Sequence, residues 1–431
     1  MPKALKGFND LLPADAPAFL DSRLWAHLLA VADRVLGSYA YAPVYLPIAE
    51  DTGLFARGLG ESTDVVSKEM YSFEDRGGRP MTLRPEGTAG AVRAFVEHAH
   101  RLAPGPHKWW YAGPMFRAER PQKGRYRQFY QVGAEYLGVD SPLADVEMLQ
   151  MLHLLCQAWG LPPYLVQINT LGDAPSREAY RAALSTYFAA HQAALCESCQ
   201  GRLAQNVLRI LDCKRPACGS LVEQAPDILD ALSEQAAARF AQTQALLTQL
   251  EIPSVRNPRL VRGLDYYTGL IFEFVEAAEA GAGLGSQNTL LGGGRYDGLV
   301  QELGGPPTPA VGFSAGLERI ALLLAQQETQ GSLSRVDLLL LPLDSPSQQA
   351  ALELAAALRR LGPWKVDVDL RAANGKLKQQ LRRADRLGHR FALVLGESER
   401  QAGEGKFKDL QQRSEQAVRL EAAAIAALLG S

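Results

Sequence analysis

No stretch of this 431-residue chain approaches the run of roughly eighteen apolar residues that a membrane helix needs. The opening residues, "MPKALKGFNDLLPADAP", have no apolar core of the signal-peptide kind, so a cytoplasmic protein is expected. Cysteine is scarce, five in all, which gives no sign of a disulfide framework. The seven histidines form no ligand-spaced cluster with carboxylates, and no internal repeat is present. Net charge is nearly absent too, at -2, so any anion-binding site must come from local clustering. The charge is unevenly divided: residues 335–431 carry +4 and residues 1–334 carry -6, which hints at a polyanionic partner for the tail.

What is present suggests an α+β body followed by a different kind of domain. A helical pattern covers 15–37, with Phe19, Leu20, Leu24, Leu28, Val31 and Val35 at three- and four-residue steps. Strand-like runs follow at 41–50, "MYSFED", "PMTLRPE", "KWWYAGPMFRAER" and "RQFYQVGAEYLG", and their alternation predicts antiparallel pairing. A helix is expected over 142–159. Residues 174–250, rich in Ala, Leu and Gln, read as an inserted helical subdomain. Strand returns at "RLVRGLDYYTGLIFEFVE". "GGGRYDGLVQELGG" then reads as a Gly-rich loop, and "PAVGFSAGLERIALLLAQQ" as a strand running into a helix. The expected organisation is an α+β body over 1–328, a linker over 329–335, and a βα-alternating domain with a largely parallel sheet over 336–431.

The segment "FRAERPQKGRYRQFYQ" puts Arg117, Arg120, Lys123, Arg125 and Arg127 among Phe116, Tyr126, Phe129 and Tyr130. It reads as a strand–loop–strand hairpin with Arg117 and Glu119 on one face. Guanidinium groups match phosphate oxygens in pairs, and aromatic rings and Arg planes stack on nucleobases. A nucleotide triphosphate together with a single-stranded nucleic-acid end would suit it. An Arg-rich surface hairpin with a few ion pairs is the plain alternative.

The motifs taken together favour the first reading. "FRAERPQKGRYRQFYQVGAE" resembles the second signature motif of class II aminoacyl-tRNA synthetases. "VGFSAGLERI" resembles the third, and residues 37–50 resemble the first. "RGLDYYTG", "GGGRYDGL" and "TLRPEGTAG" are similar to segments of histidyl-tRNA synthetases. That resemblance spans essentially the whole chain, including a tail like the anticodon-binding domain of related enzymes. It implies activation of L-histidine by ATP, transfer to the 3′ end of histidine tRNA, Mg²⁺ with the nucleotide, and a homodimer. A regulatory, non-catalytic paralogue keeps the same body, but it lacks the anticodon domain and degrades the ATP and histidine motifs. A pure RNA-binding module leaves the Gly-rich and "RGLDYY" segments unexplained.

By the same resemblance Arg117 and Arg262 face the α-phosphate, Arg262 standing where other class II enzymes use a metal ion. Arg319 would hold the terminal phosphate and Arg125 a further one, and Glu119 would lie near the adenine amino group. Glu135 and Tyr267 would face the imidazole, and Glu86, Thr88 and Gln131 the ammonium. Tyr266 and Tyr296 would complete the wall. A salt bridge between Glu86 and Arg84 is the structural alternative for that carboxylate. Gln122, Lys123 and Arg127 are candidates for the tRNA acceptor end. In the tail, "GKLKQQLRRADRLGH" places Leu377, Leu381 and Ala384 on a buried face and leaves Lys376, Lys378, Arg382, Arg383 and Arg386 for solvent or RNA. Cys196-x-x-Cys199 and Cys213-x4-Cys218 read first as free buried thiols, with a tetrahedral zinc site as the alternative.

Overall fold

Apolar residues at helical spacing build the first long element, α1 (Ser22–Ser38), which buries Leu24, Trp25, Leu28, Val31, Ala32, Val35 and Leu36. Asp21 caps it by accepting from the Arg23 N–H at 3.0 Å. The computed structural model describes residues 2–13, 17–60, 63–277, 288–326, 336–371 and 377–430. These divide into two units, Met1–Gln327 and Glu328–Ser431. The linker expected over 329–335 and Lys376 lie outside the described residues.

After α1 the first unit runs through β1 (Ala42–Pro43), β2 (Ala49–Asp51), α2 (Thr52–Leu59), β3 (Tyr71–Glu74), β4 (Pro80–Leu83) and α3 (Thr88–His98). It continues with β5 (His107–Phe116), β6 (Gln128–Leu137), α4 (Pro142–Trp159) and β7 (Tyr164–Thr170). The insertion supplies α5 (Ala174–Ala190), α6 (Glu197–Gln205), α7 (Pro216–Glu223) and α8 (Glu234–Gln249). Strands β8 (Ser254–Arg256), β9 (Thr268–Glu276) and β10 (Thr289–Arg295) follow, then α9 (Leu299–Glu302), β11 (Ala310–Gly316) and α10 (Leu317–Leu324).

One eight-stranded sheet carries the unit, in the order β1-β5-β6-β11-β10-β9-β7-β8. Its inner pairings are all antiparallel, and only the edge pairs β1–β5 and β7–β8 are parallel. The antiparallel α+β body expected from alternation is therefore present. Helix α4 starts on an N-cap, Ser141, with Pro142 in its first turn. It ends at Gly160 in the left-handed region, and Trp159 donates to the Leu28 carbonyl of α1 at 3.0 Å.

Three expectations need correction. Residues 41–50 form only two short strands; between them the backbone–backbone bonds to neighbouring segments are Val44 donating to the Trp110 carbonyl and Ile48 accepting from the Arg84 N–H, each at 2.8 Å. The Arg259–Tyr267 part of the run before β9 is irregular, and regular pairing begins at Thr268. The glycines at 292–294, expected in a loop, lie in β10 at the centre of the sheet. A Cβ on Gly293 would fall 2.1 Å from the Gly312 carbonyl oxygen, so the strands approach too closely there for any side chain.

The second unit contains β12 (Leu338–Pro342), α11 (Ser345–Leu361), β13 (Val366–Val368), α12 (Leu377–Arg386), β14 (Phe391–Leu395), α13 (Glu397–Ala402), β15 (Glu404–Asp409), β16 (Ser414–Arg419) and α14 (Ala422–Leu429). The sheet order is β13-β12-β14-β15-β16. The first three strands are parallel, and β15 and β16 add an antiparallel edge that the sequence reading missed. On α12, Ala384 is buried with Leu377 and Leu381 packed beside it, while Lys378, Arg382, Arg383 and Arg386 are exposed.

Candidate active site

Side chains two apart on a strand share a face, so Gln131, Gly133 and Glu135 of β6 point to the same side of the sheet. Gln131 lies between Gly113 of β5 and Gly316 of β11, and Glu135 lies beside Gly312. A Cβ on Gly312 would sit 1.8 Å from a Glu135 carboxylate oxygen. The glycines thus clear a trough in which two polar side chains of β6 stand.

Glu135 is fully buried. Tyr111 donates to its Oε1 at 2.9 Å, and Tyr296 donates to its Oε2. Burial pushes the carboxyl up to about 8, against the pull of the Tyr296, Thr88 and Tyr111 hydroxyls. Tyr111 reaches it by crossing β6 at Gly133, where a Cβ would lie 2.6 Å from the phenol oxygen. Tyr111 was not singled out from the sequence. Its parity with Gly113 on β5 is the signal that could have found it.

Glu86 is also buried, and burial raises its carboxyl despite donation from the Ala89 and Thr88 backbone N–H groups at 2.8 and 2.7 Å. It caps the start of α3. Arg84, offered as its salt-bridge partner, instead donates to the carbonyls of Pro114 and Leu46 at 2.9 and 3.0 Å. Thr88 lies 3.4 Å from the Tyr111 hydroxyl. Gln131 keeps a buried amide oxygen without a hydrogen-bond partner.

A cavity of about 360 Å³ opens beside this group. It is lined by Glu86, Gln131, Tyr266 and Tyr267 together with Arg117, Arg125, Arg262 and Arg319. This volume is in the range of small-molecule sites. Arg117 donates to the Pro85 carbonyl at 3.0 Å and packs over the Phe129 ring. Arg262 pairs with Glu273 and lies over the Tyr267 ring. Burial works against its charge, but Tyr267 and Glu273 outweigh that and hold the guanidinium ionised. Arg319, at the start of α10, donates to the Thr289 carbonyl at 2.8 Å. Burial and the neighbouring Arg125 lower its affinity for its proton, as expected where cations face one another before an anion arrives. Arg125 pairs with Glu119 at 3.1 Å. The buried carboxylate of Glu318 accepts from the Tyr130 N–H at 2.9 Å and ties α10 to β6.

The hairpin strands end sooner than expected, β5 at Phe116 and β6 at Gln128. Arg117 and Glu119 still turn inward, and Ala118 and Arg120 are exposed. Gln122, Lys123 and Arg127 do not line the cavity, and neither Glu135 nor Tyr296 touches it; the pair stands behind its tyrosine wall. Glu273 was also missed. A lone carboxylate in the apolar run "LIFEFVE" is the signal that could have found it. A larger cavity, about 410 Å³, lies between the insertion and the sheet. Its Arg295 and Arg239 are already paired with Asp145 and Asp140, so it offers no comparable cluster for a triphosphate.

Among the described residues, no helix is long and apolar enough to cross a membrane. Residues 7–320 match the family model for histidyl-tRNA synthetase, and residues 337–427 match that for an anticodon binding domain. The chain is 47% identical over 416 residues to a histidine–tRNA ligase of Anaeromyxobacter dehalogenans, covering 96% of this chain and 97% of the relative. It is 45% identical over 425 residues to that of Trichlorobacter lovleyi, covering 99% and 97%. The crystal structure of apo histidyl-tRNA synthetase from S. aureus superposes with a TM-score of 0.77 at 34% identity, covering 100% of both chains.

Proposed function

The chain belongs to the histidyl-tRNA synthetase family and is an aminoacyl-tRNA ligase, and from that premise we propose how its residues divide the reaction. The observation that carries the proposal is one cavity that brings together four arginines with a buried carboxylate, an amide and two phenols. ATP and histidine are the substrates that fit these two sets of groups.

Histidine binds with its ring toward Tyr267 and Glu135. Once the tyrosine wall admits the ring, the Glu135 carboxylate would accept a ring N–H, with Tyr111 and Tyr296 holding it in place. Glu86, Thr88 and Gln131 take the ammonium, and the unpartnered Gln131 oxygen is an acceptor ready for it. Tyr266 closes the wall. The amino-acid carboxylate then attacks the α-phosphate of ATP. A new O–P bond forms, and the bond to pyrophosphate breaks. Negative charge grows on the α-phosphate oxygens, and Arg117 and Arg262 meet it with fixed positive charge that needs no reorganisation. Arg319 and Arg125 hold the outer phosphates, and Glu119 lies toward the adenine. Mg²⁺ neutralises phosphate oxygens when bound. The carboxylates beside the arginines, Glu119 and Glu273, are the protein groups that would hold it.

In the second step a ribose hydroxyl at the tRNA 3′ end takes the histidyl group and AMP leaves. Gln122, Lys123 and Arg127, outside the cavity on the same hairpin, would touch the acceptor end. The second unit takes the anticodon, with Lys378, Arg382, Arg383 and Arg386 on the exposed face of α12. A homodimer working in the cytoplasm completes the proposal.

Histidine-dependent exchange of labelled pyrophosphate into ATP, without tRNA, tests the first step. Exchange with histidine alone, lost in Arg262→His, supports both the adenylate and the role of Arg262. Exchange with no amino acid overturns the proposal, and exchange surviving in Arg262→His leaves the charge to Arg117 and metal.

A further inference from the structure

The insertion holds four of the five cysteines, and the chain brings all four together. Cys196 caps α6 and Cys199 lies in its first turn. Cys213 follows a short 3-10 turn at Val207–Ile210, and Cys218 lies in the first turn of α7. The four sulfurs lie within 4.8 Å of one another, with Cys196 and Cys213 at 3.9 Å. A tetrahedron with metal–sulfur bonds of about 2.3 Å has sulfur–sulfur edges of about 3.8 Å, whereas a disulfide needs about 2.05 Å. All four are free thiols.

Burial alone does not require this convergence. Cys156, on α4, is as buried as Cys199 and Cys218 and more so than Cys196 and Cys213, yet it is not part of the cluster, as a cysteine used only as a small hydrophobe is not. The backbone N–H of Cys196 points at the Cys218 sulfur at 3.3 Å, an arrangement that favours thiolate. Leu195, Val207, Ile210, Leu211 and Val222 pack around the group and shield it.

We infer that Cys196, Cys199, Cys213 and Cys218 bind one Zn²⁺ as a closed tetrathiolate. The ion displaces the four thiol protons, and no position is left for water or substrate, so the site is structural. Its purpose follows from what lies between the second and third ligands. Asn206 donates to Asp265 at 2.8 Å, in the loop that carries Arg262, Tyr266 and Tyr267. Arg209 pairs with Asp64, and Asp212 lines the cavity itself. The metal pins both ends of this stretch, and the stretch braces one wall of the substrate cavity. This last link rests on the reading of that cavity as the active site; the zinc itself does not.

The test is the metal content of the full chain, purified without chelator. We expect one zinc per chain, released by a mercurial in step with the blocking of four thiols. Replacement by Co²⁺ should give the visible absorption of a tetrahedral tetrathiolate. Cys213→Ser, a half-exposed position that spares the core, should lose the metal, lose hydrogen-exchange protection over 196–218, and raise KM for histidine and ATP several-fold. Cys156→Ser should keep the metal. A zinc-free chain whose insertion thiols all react freely, and which takes up neither Zn²⁺ nor Co²⁺, overturns the inference, as does iron in place of zinc. Loss of the metal from Cys213→Ser with unchanged substrate KM would remove only the bracing role, and zinc fully retained by Cys213→Ser would overturn the tetrathiolate.

Discussion

Tyr111→Phe isolates the support of Glu135, the carboxylate proposed to face the imidazole. The phenol is 2% exposed and donates to fully buried Glu135 at 2.9 Å. The substitution removes one oxygen and leaves the ring packed across Gly133. A hydrogen bond to an ionised group is worth about 1.5–3 kcal/mol, which corresponds to about a ten- to hundredfold change in affinity. Losing a donor that pulls the Glu135 carboxyl down also pushes it further above 8, away from the ionised form that accepts a ring N–H. KM for histidine in pyrophosphate exchange should therefore rise about ten- to hundredfold, with KM for ATP unchanged, because the Tyr111 hydroxyl bonds to Thr88 and Glu135 and not to the four arginines. Tyr41→Phe is the control: its buried hydroxyl has no hydrogen-bond partner, so its removal should leave both constants alone. Urea unfolding of each variant separates binding from folding. A histidine KM within twofold of the parent, or an equal rise for ATP, would falsify the placement of Glu135 as the ring acceptor.

Further outcomes follow from other parts of the molecule. Glu135 and Glu318 both have folded-state values raised from 4.5 to about 8, so their contribution to stability is full below 4.5 and is lost as pH rises through 8. The thermal midpoint of the ligand-free chain should fall over that window, and Glu135→Gln should flatten the fall; an identical slope in both proteins would refute it. Arg295 and Asp145 form a buried pair at 2.6 Å, each side chain 1% exposed, so Arg295→Ala should cost about 3–5 kcal/mol in urea unfolding, and a cost under about 1 kcal/mol would contradict that. Lys123→Ala should lower the log–log salt slope of tRNA binding by about 0.7 to 1 and leave pyrophosphate exchange unchanged; slowed exchange would move Lys123 to the nucleotide.

Much of the fold was legible because the body's strands alternate and its helices carry regular apolar stripes. β15 and β16 were not, because they form an exposed edge where few positions need apolar residues, as in "SEQAVR". The run at Gly292 was read as a loop because glycine signals turns locally; its true cause, the Gly312 carbonyl on the next strand, is a tertiary fact. The arginines were legible through motifs, and the structure gathers them in one cavity. Tyr111 and Glu273 escaped because their meaning depends on which face of a strand they occupy. The Glu86–Arg84 alternative failed because α3 begins at Thr88 and presents two N–H groups to the carboxylate first.

Two of the four arginines in the cavity, Arg125 and Arg262, are already paired with Glu119 and Glu273, so this part of it behaves like an ion exchanger loaded with its own counterions. On the proposed reading, an arriving triphosphate displaces those two carboxylates and also meets Arg117 and Arg319, which donate to backbone carbonyls. The carboxylates stay in the cavity and offset part of the arginine charge, so nucleotide binding should respond less steeply to ionic strength than the docking of a long polyanion outside the cavity. The displaced carboxylates are then left facing the phosphates, which explains why the nucleotide should arrive with a cation of its own.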